Sequence, residues 1–178
     1  MVTHPNGIAI SGTAVSAALT AAAFGGKLDS AKIYDTALWA AQEGYRRGCL
    51  ATVKPPVGAK LPGRIELAVN LALQYGDDDE RLLAELGDLI GFGVNTSELI
   101  PSVVGILVAA HGSLSRAVRL AANAGNCANR VAVVAAAACA PACEPDPMLE
   151  ACFERAAQKL PFDCSALFDK LRDYDANF

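Results

Sequence analysis

The residues with chemistry to offer gather in one short stretch, AANAGNCANRVAVVAAAACA, from Ala121 to Ala140. A polar elbow of Asn123, Gly125, Asn126, Asn129 and Arg130 is wedged there between two apolar runs. Gly125 reads as the end of one helix, because glycine takes the left-handed cap conformation at no steric cost. Asn126 or Asn129 reads as the N-cap of the next, its side-chain oxygen accepting an orphan backbone N–H. Polar side chains at such a start have two uses. They cap the helix, or they join its exposed N–H groups in a ligand or metal site, where anions are favoured.

Other chemistry-bearing residues are scattered. There is no Walker loop, no GxGxxG, no HExxH and no GxSxG. The run Gly76-Asp77-Asp78-Asp79-Glu80 lacks the spaced oxygen ligands and loop glycine of an EF-hand. It reads as negative charge placed at a helix N-terminus. His4 sits in a Thr-His-Pro turn and His111 in an Ala-His-Gly helix end, with no neighbouring nucleophile for either to serve. Six cysteines form no CxxC, and both histidines are distant from them in sequence, so a standard zinc site is not expected. Cys139 and Cys143 share an i, i+4 spacing across Pro141. Most of the thiols lie among alanines and leucines and read as buried, reduced small hydrophobes.

The elements that must position these residues are helical. Ile33, Ala37, Ala41 and Tyr45 line one face behind Asp29 or Ser30. Leu82, Leu83, Leu86, Leu89 and Ile90 repeat the pattern behind the acidic run, and Leu114, Ala117, Val118 and Ala121 follow Ser113. Asp146-Pro147 and Asp163 mark two further helix starts. Val53–Pro62, rich in proline, is expected to be a loop. The pattern predicts eight or nine helices, no hairpin and one all-α domain over residues 1–178. A core over 1–142 is followed by more charged helices over 143–178.

Composition narrows the function classes. A length of 178 residues, 53% of them hydrophobic, suits one domain with a proper core. Only 6% are aromatic and the net charge is -4, which argues against a nucleic-acid surface. No apolar stretch reaches membrane-spanning length, since Arg130 opens and Pro141 closes the longest run. The first residues lack the basic and apolar regions of a secretory signal. The expectation is a cytoplasmic protein with no membrane partner.

Three pieces together resemble the ADP-ribosylglycohydrolase family. THPNGIAISGTAVSAAL (Thr3–Leu19) is similar to a family segment running into a long alanine-rich helix. TSELIPSVVGIL (Thr96–Leu107) resembles the following helix, with its glutamate and proline ahead of a small apolar face. Ser113–Ala124 and the elbow then fall where the family carries a Gly-Gly-Asp-Thr-Asp-Thr signature. The resemblance covers about Thr3 to Ala142, with Val53–Pro62 as a local extra.

That resemblance implies an orthogonal multi-helix bundle around two magnesium ions, which position a water and the ribose for hydrolysis of an ADP-ribosyl glycosidic bond. It implies an ADP-ribose-like ligand, with His4, Asn123, Gly125 and Arg130 on the ligand and Asn126 and Asn129 at the metal positions. It implies no catalytic residue in this chain. Set against the signature, the first aspartate corresponds to Asn126 and the second to Ala128, while the threonines correspond to Cys127 and Asn129. The divergent form Gly-Gly-Asp-Asn-Cys-Ala-Arg is closer to Asn126–Arg130, and sets Arg130 against its arginine, a planar fork for phosphate or carboxylate. The family's other metal motif, a Thr-Asp-Asp run, belongs to the N-terminal half of its fold, and Asp77–Asp79 stands at the wrong place in the order. The expectation is therefore a C-terminal half, inactive alone, or else a non-catalytic interaction or nucleotide-binding module. A second copy or another chain would cover the missing half.

Overall fold

The computed structural model describes residues 6–51, 58–144 and 146–175. Those residues form nine α-helices and no strand, so the all-α expectation holds. The chain divides into two compact units, Met1–Glu144 and Pro145–Phe178.

The first unit opens with α1 (Gly7–Phe24) and α2 (Ser30–Leu50). Asn6 Oδ1 accepts from Ala9 N at 2.8 Å, and Asp29 Oδ1 accepts from Lys32 N at 2.7 Å, so each helix starts at a side-chain cap. Ile33, Ala37 and Ala41 are buried as their spacing predicts, together with Ala40, Gly44 and Gly48. The two helices meet backbone to backbone. A Cβ on Gly48 would lie 2.6 Å from Gly7 Cα, and one on Gly44 would lie 2.8 Å from Ser11 Cα. Buried Ser11 answers its own polarity by donating from Oγ to the Ala41 carbonyl at 2.7 Å.

One expectation needs correction. Helix α1, at 18 residues and mean hydropathy 1.6, is long and apolar enough to cross a membrane by length and composition. Its serines and threonines hid this, because they interrupt the apolar run while alanine and isoleucine keep the average high. In the structure Val15, Leu19 and Ala23 join the core.

Around this pair stand α3 (Leu61–Tyr75), α4 (Asp79–Leu89) and α5 (Thr96–Ala110). The helix α3 begins inside the segment expected to be loop, with Pro62 in its first turn, where a missing N–H costs nothing. Residues 52–57 of that segment lie outside the described residues. In α4, Leu82 and Leu86 are fully buried, while Leu89, expected on the same face, is 52% exposed. The acidic run does what its helix start predicts: Asp78 is the N-cap, and Asp79 and Glu80 fill the first turn.

Helix α5 is the centre of the unit, with every residue from Ile100 to Ala110 buried. Pro101 lies inside it and cannot donate to the carbonyl four residues back, that of Ser97. Arg64 of α3 replaces the missing donor: its Nη1 reaches Ser97 O at 2.9 Å and Ile90 O at 3.2 Å. Arg64→Met keeps the apolar stem and strands both carbonyls. The expected loss is about 2 kcal/mol, read as a lower urea midpoint with an unchanged slope.

Helices α6 (Leu114–Asn123) and α7 (Ala128–Cys139), with a 3₁₀ turn at Ala140–Ala142, complete the unit. Ser113 caps α6 through Arg116 N, and His111, at φ 51°, is the left-handed C-cap of α5. In the second unit, α8 (Pro147–Ala157) starts at Asp146 and α9 (Cys164–Asp175) at Asp163, each aspartate accepting from backbone N–H groups of the first turn. Met148, Phe153 and Phe168 of that unit are at least half exposed.

Candidate functional site

The elbow lies between α6 and α7. Gly125 has φ +73°, the left-handed helix end its residue type predicts. Asn126 follows at φ +41°, also left-handed, a conformation asparagine reaches more easily than most side chains. Neither asparagine caps the next helix. The N-cap position of α7 is Cys127, which makes no side-chain cap bond, and Asn129 is already inside the first turn. The capping expectation therefore fails. A left-handed residue cannot also be the extended residue that aims an N-cap oxygen along a helix.

What fixes the elbow is its backbone. Cys127 N donates to Phe92 O at 3.1 Å, tying the elbow to the loop between α4 and α5. That loop is itself braced. Glu98 accepts from Gly93 N at 3.0 Å and from Asn95 Nδ2 at 2.7 Å, while Ser102 Oγ donates to Gly91 O at 2.8 Å. The glutamate that carries part of the sequence resemblance, Glu98, thus has a local duty in holding the platform under the elbow.

The candidate side chains are at the surface. Asn123, Gly125, Asn126, Asn129 and Arg130 are all exposed. Asn123 Nδ2 folds back onto Arg119 O at 2.8 Å. Arg130 makes no ion pair with a described residue, so its guanidinium is not spent on a neighbouring acid. His4 lies outside the described residues.

Asn123 also borders a groove of about 420 Å³ between α4 and α6, with Asp79, Glu80, Leu83, Arg119 and Leu120. Sequence reasoning missed the charged cluster on its wall. Asp79 Oδ1 accepts from Arg116 at 2.7 Å and Oδ2 from Arg119 at 3.2 Å. The Arg116 guanidinium, with Arg119 beside it, holds the Asp79 carboxyl below its usual range. Arg116 also donates to Ala109 O at 2.7 Å and to Gly76 O, locking the ends of α5 and α3. A visible signal existed: two arginines three apart on α6 and one acid run, although their meeting is a tertiary event.

These residues do not fit a pair of magnesium ions. Hard cations need several oxygen ligands with carboxylates among them, and the elbow offers neutral amides. Asn126 Oδ1 faces the Cys127 thiol at 3.7 Å, and the carboxylate of Asp79 is neutralised by two guanidiniums. Among the described residues no group of three or more His, Cys, Asp or Glu side chains is arranged to hold a metal.

No disulfide joins the cysteines among the described residues, and they are not uniformly buried. Cys139 alone is buried, Cys152 is exposed, and Cys49, Cys127, Cys143 and Cys164 are intermediate. Apolar neighbours in sequence thus do not by themselves place a thiol in the core, which takes in Cys139 but leaves the others partly or fully exposed.

No curated protein and no solved structure matches the chain. The family model described as ADP-ribosylglycohydrolase matches residues 1–144, which is the first compact unit from end to end. Because that match covers well over half of the sequence, the chain belongs to the ADP-ribosylglycohydrolase family.

Proposed function

We propose that the elbow is the ligand-facing part of an ADP-ribosylglycohydrolase-like site, that it binds an ADP-ribose-like ligand, and that this chain does not hold two magnesium ions by itself. One observation carries the reading. Asn129 and Arg130, which pairs with no acid among the described residues, stand exposed in the first turn of α7, whose N-terminus has no side-chain cap. Free N–H groups, an amide and a guanidinium fork are thus offered together, which suits a phosphate.

The backbone also favours a register for the lost signature. Two successive left-handed residues, Gly125 and Asn126, suit the signature's two glycines. Its aspartates then correspond to Cys127 and Asn129, one residue along from the pairing with Asn126 and Ala128. Both replacements are neutral, and a thiol is a poor ligand for a hard cation. Carboxylates for the family's hydrolysis would then come from a second copy or another chain seated beside the elbow, in the cytoplasm.

Thermal unfolding with each ligand separately tests this, since a ligand of the native state raises the midpoint. ADP-ribose is expected to give a saturable rise that Arg130→Ala removes, and magnesium chloride alone is expected to give none. No rise with ADP-ribose sinks the ligand reading and leaves a non-catalytic helical interaction module. A rise with magnesium alone sinks the metal part. The double variant Cys127→Asp with Asn129→Asp is expected to gain a magnesium response, whereas Asn126→Asp is not; the reverse result would restore the other register.

A further inference from the structure

We propose that Cys139 and Cys143 form a redox-active dithiol, a modification site at which a small-molecule disulfide is converted to an internal disulfide of this chain. Cys139 is the last residue of α7 and only 4% exposed. Cys143 follows directly on the 3₁₀ turn and is partly open to solvent. The two thiols are in hydrogen-bonding contact, and Cys143 Sγ also donates to the Gly112 carbonyl at 3.2 Å. The turn between them, with Pro141 in it, is already formed, so closing the ring costs little chain entropy. The other four cysteines stand elsewhere: Cys49 in α2, Cys127 at the elbow, and Cys152 and Cys164 in the second unit.

The geometry assigns an order to the two sulfurs. Cys143, the accessible one, loses its proton and attacks one sulfur of a disulfide such as oxidised glutathione. A mixed disulfide forms on Cys143 and one glutathione thiolate leaves. Cys139 then gives up its proton, attacks the Cys143 sulfur and expels the second glutathione thiolate. Two thiols of the chain are oxidised by two electrons, and one glutathione disulfide is reduced to two thiols. Burial, with the neighbouring Cys143, pushes the Cys139 thiol up to about 12, which suits it to the second, intramolecular attack and not to the first. Closure also removes the Cys143 S–H, so the bond it donates to Gly112 O at the corner between α5 and α6 is lost.

The test uses the full chain, reduced and then incubated with oxidised glutathione. Remaining thiols are alkylated, and mass spectrometry follows cleavage after Arg130 and after Glu150, which separates the pair from Cys127 and Cys152. The wild type is expected to show Cys139 joined to Cys143, two hydrogens lighter and unalkylated. Cys139→Ser is expected to stop at glutathione on Cys143, and Cys143→Ser to leave Cys139 reduced. The closing rate is expected to rise about tenfold per pH unit through the neutral range, following the thiolate fraction of Cys139. A wild type that keeps glutathione on Cys143 as its end product overturns the proposal. So does a pair that stays reduced while exposed Cys152 becomes glutathionylated.

Discussion

Gly48→Val is expected to lower the thermal midpoint of the first unit by roughly 10 °C, corresponding to about 3 kcal/mol. The added carbon would stand 2.6 Å from Gly7 Cα and 3.1 Å from Gly7 N. Those are backbone atoms, which have no rotamer to retreat into, so the two helices must separate. Separation strands the bond from Ser11 Oγ to Ala41 O and opens a gap beside Val15 and Leu19. A glycine of the same type but different surroundings is the control. An added Cβ at Gly63 meets nothing within 4 Å, and Gly63→Ala is expected to leave the midpoint unchanged or raise it by removing backbone freedom from the unfolded chain. Differential scanning calorimetry of the two variants checks both. Equal losses in both would mean that helix propensity, and not close approach, governs these positions.

Arg116→Met comes next in size. The guanidinium serves Ala109 O, Gly76 O and Asp79 at once, with a side chain only 22% exposed. Methionine fills the stem's volume and leaves two carbonyls and a carboxylate without their donor. The expected cost is about 3 kcal/mol, the scale of losing charged hydrogen bonds at a partly buried site. A pH dependence accompanies it. The folded state holds the Asp79 carboxyl below its ordinary value, so the pair's contribution is complete above about pH 4, where the unfolded carboxylate is already ionised. It fades as pH falls through the lowered folded value. Wild type should therefore lose stability on acidification in a window where Asp79→Asn, already lacking the charge, loses less. Exposure of the aspartate to solvent moderates the size of this effect. Urea midpoints at pH 7 and pH 3 for wild type, Arg116→Met and Asp79→Asn read both effects.

Much of the fold was legible because its signals are local. Asp29, Ser113, Asp146 and Asp163 mark helix starts through bonds to their own first turns, and such bonds depend on residues two or three apart. The apolar period of α2 likewise placed Ile33, Ala37 and Ala41 in the core. Three things were not legible. The expected asparagine cap failed because the sequence does not say that Asn126 adopts a left-handed backbone. Leu89 matches the period of α4 yet is exposed, while its neighbour Ile90 is buried in its stead. The role of Arg64 depends on a proline more than thirty residues away and on helices crossing at one point. For the site, the residue types at the elbow pointed to the family, while the geometry that bears on the metal required the backbone angles.

The bond from Cys127 N to Phe92 O gives the elbow a clock. An amide tied to a buried loop exchanges its hydrogen with solvent only when that tie opens. The amides of Ala128 and Asn129, at the uncapped start of α7, have no such shelter and are expected to exchange within the dead time. A slow Cys127 amide beside fast neighbours would time how often the elbow lifts from its platform. A molecule seated on the elbow would slow the fast pair directly and the slow one by making the lift rarer.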